Sequence, residues 1–174
     1  MKSKLLVLIA IVSAFLAIGC TTTDSGESET SENATSAQSD AAALYTQITE
    51  EDTYKEWELM PGTSEMDPGT GPHGDMITVY VSDDAFSAIG GNAEVMPNGS
   101  ILLKEGYSSE GELEQIVLMQ KIDGYDPEHN DWFWAAYSPD GEVLSEGSLS
   151  TCYDCHSQVQ DNDYIFTGSL NETA

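Results

Sequence analysis

The chain has 174 residues, with 31 acidic side chains against five basic ones, and a formal net charge of −26. So acidic a surface repels nucleic-acid phosphates and anionic membrane surfaces, leaving basic redox proteins or cations as the charged partners it attracts. The same balance is what a solvated surface adapted to salty water carries, so it speaks for solubility first.

Lys2 and Lys4 precede an apolar run over 5–18 that is too short for a comfortable transmembrane helix, which is the pattern of an export leader. The run closes in Leu16-Ala-Ile-Gly19-Cys20. This resembles the lipobox of bacterial lipoproteins, in which the cysteine is lipidated and becomes the new N-terminus. Ala17 stands where leucine is commoner, and an ordinary cleaved leader with a coincidental cysteine is the alternative. Thr21 follows Cys20, where aspartate would resemble an inner-membrane retention signal. The expected location is therefore the periplasm, lipid-anchored and on the outer membrane. Residues 21–42 are Ser, Thr, Glu, Asp, Ala and Gly with almost nothing apolar, a composition that cannot bury enough surface to fold. Such a tether reaches on the order of 25 Å. Residues 43–174 suit one domain with one core. Beyond the leader only Lys55, Lys104 and Lys121 face all the acids, and arginine does not occur.

Within that domain Thr49-Glu-Glu-Asp52 places carboxylates where a first helical turn favours them, and predicts a helix running to Trp57. Residues 60–74, rich in proline and glycine, predict a long loop. A β-type run over 76–81 is followed by a short helix over 83–89. Asn98-Gly99 turns the chain into a second strand over 100–105. Further strands are predicted over 115–122 and 132–137, the latter following the turn Asp126-Pro-Glu-His-Asn130. Pro139-Asp-Gly141 makes a hairpin turn into 143–149. Strands joined by short turns, with helices at the edge, indicate an α+β domain built on an antiparallel sheet.

Cys152-Tyr-Asp-Cys155-His156 bounds the chemistry more tightly than any other segment. Two thiols three positions apart can add across the two vinyl groups of one porphyrin. The histidine that follows is then held beneath the ring as an iron ligand, so the spacing points to one covalent c-type haem per chain. Zinc, a redox dithiol and a structural disulfide are the alternatives. Zinc wants four ligands, and only His73 and His129 remain as imidazoles outside the motif. A redox dithiol belongs at a helix start in an alternating strand–helix chain, and a disulfide leaves His156 without a role. An export leader agrees with haem, because c-type attachment takes place outside the cytoplasm.

Small electron-transfer cytochromes c are mostly helical and carry the attachment site near the N-terminus, whereas this one lies near the C-terminus of a β-rich domain. Met60-Pro-Gly-Thr63, Pro72-His-Gly74, Thr78-Val-Tyr-Val81, Gly99-Ser-Ile-Leu-Leu-Lys-Glu105, Gly124-Tyr-Asp-Pro127, Asn130-Asp-Trp-Phe-Trp134, the cysteine motif and Asn162-Asp-Tyr-Ile-Phe166 follow one another in order. Together they resemble the cytochrome P-460 family, which takes in lysine-crosslinked hydroxylamine oxidases and the related cytochrome c′-beta gas binders.

In the crosslinked members a lysine in the matching strand bonds to a meso carbon of the porphyrin, and Lys104 is the matching residue. Strand alternation puts Ser100, Leu102 and Lys104 on one face and Ile101, Leu103 and Glu105 on the other. A lysine on a buried face is costly unless paired or modified, while one at a strand end with its head in water is ordinary. The resemblance also implies an open distal site walled by apolar and aromatic side chains. Phe86, Phe133 and Trp134 are candidates that core packing explains equally well. His73, Met60, Met66, Met96 and Met119 are the candidate sixth ligands. Met119 is expected in the core, His73 doubles as a candidate distal proton donor, and His129 is expected to be solvated.

The hydroxylamine-oxidising members carry an arginine just before the strand matching 78–81, where this chain has Ile77. They also use a distal carboxylate as a base, and no acid here can be assigned to that place by spacing. Three functions follow. One is oxidation or binding of small nitrogen species (hydroxylamine, nitric oxide), with electrons passed to a periplasmic acceptor. The others are a non-enzymatic binder of nitric oxide or carbon monoxide, and a His/Met electron carrier. The resemblance implies a homodimer, which nothing in the residues demands.

Overall fold

The computed structural model describes residues 40–91 and 93–166. The leader, Cys20 and the tether as far as residue 39 lie outside them. Seven strands form one antiparallel sheet: β1 (Glu58–Leu59), β2 (Asp67–Gly71), β3 (Gly74–Val81), β4 (Ile101–Tyr107), β5 (Leu113–Lys121), β6 (Trp132–Tyr137) and β7 (Val143–Gly147). Their order is β1-β3-β4-β5-β6-β7, with β2 also paired to β3. With α1 (Ala41–Thr46), α2 (Asp83–Gly90) and α3 (Ser150–His156) this is the expected α+β architecture. No helix among the described residues is long and apolar enough to cross a membrane.

The β4–β5 and β6–β7 turns share one design. Ser108-Ser-Glu-Gly111 and Ser138-Pro-Asp-Gly141 each close with the glycine N–H donating to the serine carbonyl, at 3.0 and 2.9 Å. Gly111 and Gly141 sit at φ +82° and +86°, left-handed values that only glycine adopts freely.

Two expectations move. Asp40, not the segment at Thr49, caps the first helix, its Oδ1 accepting from Ala42 and Ala43 N–H at 3.0 and 3.1 Å. The alanines behind it are strong helix formers, so α1 begins inside the stretch assigned to the tether. At 49–51 the chain is already in a π-helical turn, Gln47–Glu51. The long loop over 60–74 in fact contains β2, which folds back on β3 with Asp67 opposite Ile77 and Gly71 opposite Gly74. Pro68 is tolerated there because β2 is an edge strand.

Alternation along the strands divides the sheet into two faces. On one, α1 and Tyr54 cover Tyr80, Leu103, Leu118, Phe133 and Tyr137. Burial of apolar side chains of this size contributes roughly 1.5–3 kcal/mol each. Glu105, fully buried, is the charge on this face. Its carboxylate accepts from Tyr54 and Tyr107 hydroxyls at 2.8 and 2.5 Å and from the Lys55 ammonium. Because Lys104 points the opposite way, Glu105→Ala is expected to destabilise the fold by about 3 kcal/mol, the scale of hydrogen bonds to a buried charge. Denaturant unfolding measures that loss, while the absorption spectrum of the haem-loaded protein stays unchanged.

Candidate functional site

The second face of the sheet forms the floor of a groove. The strand register sets Val79, Lys104, Val117 and Ala136 side by side across β3, β4, β5 and β6. A parallel row runs Val81, Leu102, Met119 and Trp134. Small and apolar residues therefore surround a single lysine. Over this floor lies α3, where Cys152, Cys155 and His156 occupy positions i, i+3 and i+4 and so share one helical face. All three line the groove with Lys104 and His73. An adjoining cavity shares His73, Lys104, Cys155 and His156 and adds Ile77 and Phe166.

His73 reaches this place through the β2–β3 hairpin, which lies down on β4. A Cβ on Gly106 would meet the His73 carbonyl oxygen at 1.6 Å, and one on Gly74 would meet Tyr107 N at 2.7 Å. The hairpin packs this closely because both positions lack a side chain. Gln115 Nε2 also donates to the Pro72 carbonyl at 3.0 Å. Burial, reinforced by the neighbouring Lys104 and His156, lowers the His73 pKa to about 4, so its ring is uncharged at neutral pH. Burial lowers Lys104 as well, partly opposed by the Cys155 thiol. An amine in this setting gives up its proton more readily than a surface lysine.

His156 is held from three sides. Its ring centroid lies 4.8 Å from that of Trp134 and 4.9 Å from that of Phe166, both edge to face. Nδ1 is 2.7 Å from the Tyr164 carbonyl oxygen. A carbonyl only accepts, so Nδ1 carries the hydrogen and Nε2 keeps the lone pair that a metal requires. Tyr153, one position round the helix, stacks on His129 at 3.7 Å and 16°. His129 in turn lies 2.8 Å from Asp126 Oδ2. It is half-buried and fastens α3 to the sheet, contrary to the expectation of a solvated turn residue.

Of the aromatic candidates for the groove wall, Trp134 alone belongs there. Phe133 alternates to the opposite core and Phe86 is exposed on α2. Of the methionines, Met119 lines the groove, while Met60 and Met96 are packed in the core beside it. Met66, at φ +58°, is tied through its N–H to Thr78 Oγ1 at 3.0 Å. Val79, Val117 and Ala136 carry no sequence signal of a site; strand register alone places them around Lys104.

These residues fit a haem. The donor set has two thiols and an imidazole with a free Nε2 on one helical face, set over an apolar floor. The Trp134 indole N–H, in the wall of the groove, is buried with no acceptor among the described residues, leaving it a donor for a polar group brought in by a cofactor. Fold and groove together define an α+β haem protein built on an antiparallel sheet, unlike the helical cytochromes. The cytochrome P460 family model matches residues 51–167, well over half of the chain. The chain therefore belongs to the cytochrome P460 family. Among curated proteins no match is found.

Proposed function

We propose that the groove holds one haem through thioether bonds to Cys152 and Cys155, with His156 Nε2 on the iron, and binds a small nitrogen species such as nitric oxide or hydroxylamine. When bound, the haem supplies a redox-active iron that coordinates such ligands. The carrying observation is the meeting of Cys152, Cys155, His156, His73 and Lys104 in one otherwise apolar groove. The apolar floor excludes water and favours small uncharged ligands. His73, neutral there, offers a nitrogen that accepts or donates one hydrogen bond. Lys104 Nζ is the atom that the family resemblance would bond to the porphyrin, and its burial beside α3 supports that role.

Binding without turnover is the second reading, and a specific observation favours it. Among the described residues no carboxylate lines either cavity, and Met119 and Ile77 occupy their walls. Among the described residues the two cavities thus offer no acid to take protons from hydroxylamine as a general base, and His73 is the uncharged base there that is not already committed to the haem. A His/Met carrier would have to use Met119. The export leader and acidic surface support a periplasmic, lipid-anchored protein that delivers electrons to a basic cytochrome. Steady-state assay with hydroxylamine and an artificial electron acceptor tests the enzymatic arm. Turnover that falls at least tenfold in His73→Leu supports oxidation with His73 as base. Tight nitric oxide binding with no turnover leaves the binder.

A further inference from the structure

Further along the same sheet face, next to the Met119–Trp134 pair of the groove floor, sits a buried ion pair that the proposed function does not use. Lys121 ends β5, and Asp163 lies in the segment after α3; they are 4% and 2% exposed. The ammonium donates to both carboxylate oxygens, at 2.7 and 2.9 Å, and lies 4.7 Å over the Trp132 ring. The same carboxylate accepts from Met96 N–H at 2.8 Å and from Asn130 Nδ2 at 3.0 Å. Asp163's own carbonyl accepts from the Trp132 indole N–H at 2.9 Å. One residue thus ties together β5, the start of β6, the segment before β4 and the turn before β6.

A staple for the core would be complete with the lysine alone. Of the additional bonds, the one from the Trp132 indole holds the backbone of the turn itself: Asp163 and Tyr164 sit at φ +51° and +65°, two consecutive non-glycine residues in the left-handed region. Such conformations persist only where the surroundings over-determine them. Their consequence is local and directional, since this turn presents the Tyr164 carbonyl to His156 Nδ1 at 2.7 Å.

We propose that Asp163, anchored by Lys121 and Asn130, is a positioning residue for the haem ligand. It holds the strained Asp163–Tyr164 turn so that the Tyr164 carbonyl fixes the tautomer, orientation and donor strength of His156. The inference rests on the reading of His156 as the iron ligand. A hydrogen bond at Nδ1 makes Nε2 a stronger donor and stabilises the ferric state relative to the ferrous.

The test uses haem-loaded protein and two variants. Asp163→Asn removes the charge that Lys121 answers. Asn130→Gly preserves the left-handed backbone at 130 and the ion pair, and removes one bond to the carboxylate. Resonance Raman spectra of the ferrous form and redox titration are the readouts, with thermal unfolding as the structural control. Expected are a lowered iron–histidine stretching frequency and a positive shift of the midpoint potential, large in Asp163→Asn and smaller in Asn130→Gly. If Asp163→Asn does not accumulate, Asn130→Gly decides alone. Unchanged frequency and potential overturn the positioning role, even where the unfolding temperature falls. Absence of any iron–histidine mode in the unsubstituted protein would instead reject His156 as the ligand.

Discussion

Acid denaturation of the Cys152→Ala, Cys155→Ala, Lys104→Met triple variant is expected to release all of its haem, whereas the unsubstituted chain keeps its haem through denaturing gel electrophoresis. Both thiols face the groove from α3, and each can form one thioether. Together they turn cofactor binding into an intramolecular event, which maintains a high effective concentration whatever the state of the fold. With both thiols gone and Lys104 replaced, only the His156–iron bond and apolar contacts with Leu102, Met119 and Trp134 remain, and unfolding abolishes these. Single variants keep one thioether and are expected to retain haem on the gel with a shifted ferrous α-band, because one vinyl group stays unsaturated. If Lys104 is bonded to the porphyrin, the double variant would still hold its haem until Lys104 is also replaced. The triple variant therefore completes the series.

The second large effect belongs to Lys104. In Lys104→Met the amine is lost from a floor otherwise made of Val79, Val117 and Ala136. The methionine fills similar length without a polar atom. A ferrous Soret band lying far to the red in the unsubstituted protein is expected to return in this variant to the position of an ordinary c-type haem. An unchanged spectrum would reject the crosslink. Stability gives an independent readout. An uncrosslinked amine in this floor pays for its burial, shown by its lowered pKa, so Lys104→Met would then raise unfolding stability by about 1 kcal/mol or more. A crosslinked lysine predicts the opposite sign, because a covalent bond between cofactor and β4 is lost.

Sequence reasoning reached the chemistry before the geometry. The cysteine motif was legible because its residue types and spacing carry meaning alone, whereas Lys104 was singled out by the family resemblance of its strand; strand alternation at Ser100, Leu102 and Lys104 correctly opposed them to Leu103 and Glu105. The hairpin turn at Pro139-Asp-Gly141 was legible because Gly141 supplies a conformation few residues accept. Less could be read where tertiary contacts decide. β2 pairs through backbone groups in a segment whose glycines and proline imitate a loop. The groove floor depends on which residues of four strands fall opposite one another, a matter of register. His129 looked like a polar turn residue because its partner, Tyr153, is distant in sequence. The Tyr164 carbonyl that fixes His156 is a backbone atom and leaves no mark on residue identity. The first helix was placed too late because the glutamates after Thr49 looked like a cap, while the cap that forms is Asp40, ahead of three alanines.

The absorption spectrum of the purified, reduced protein, recorded before and after addition of nitric oxide, tests the central claim most directly. A haem held by His156 in this groove with an open sixth position is predicted to give a high-spin ferrous spectrum that changes on adding nitric oxide at near one equivalent per chain. Sharp α and β bands of a low-spin six-coordinate iron, unaltered by nitric oxide, would contradict it.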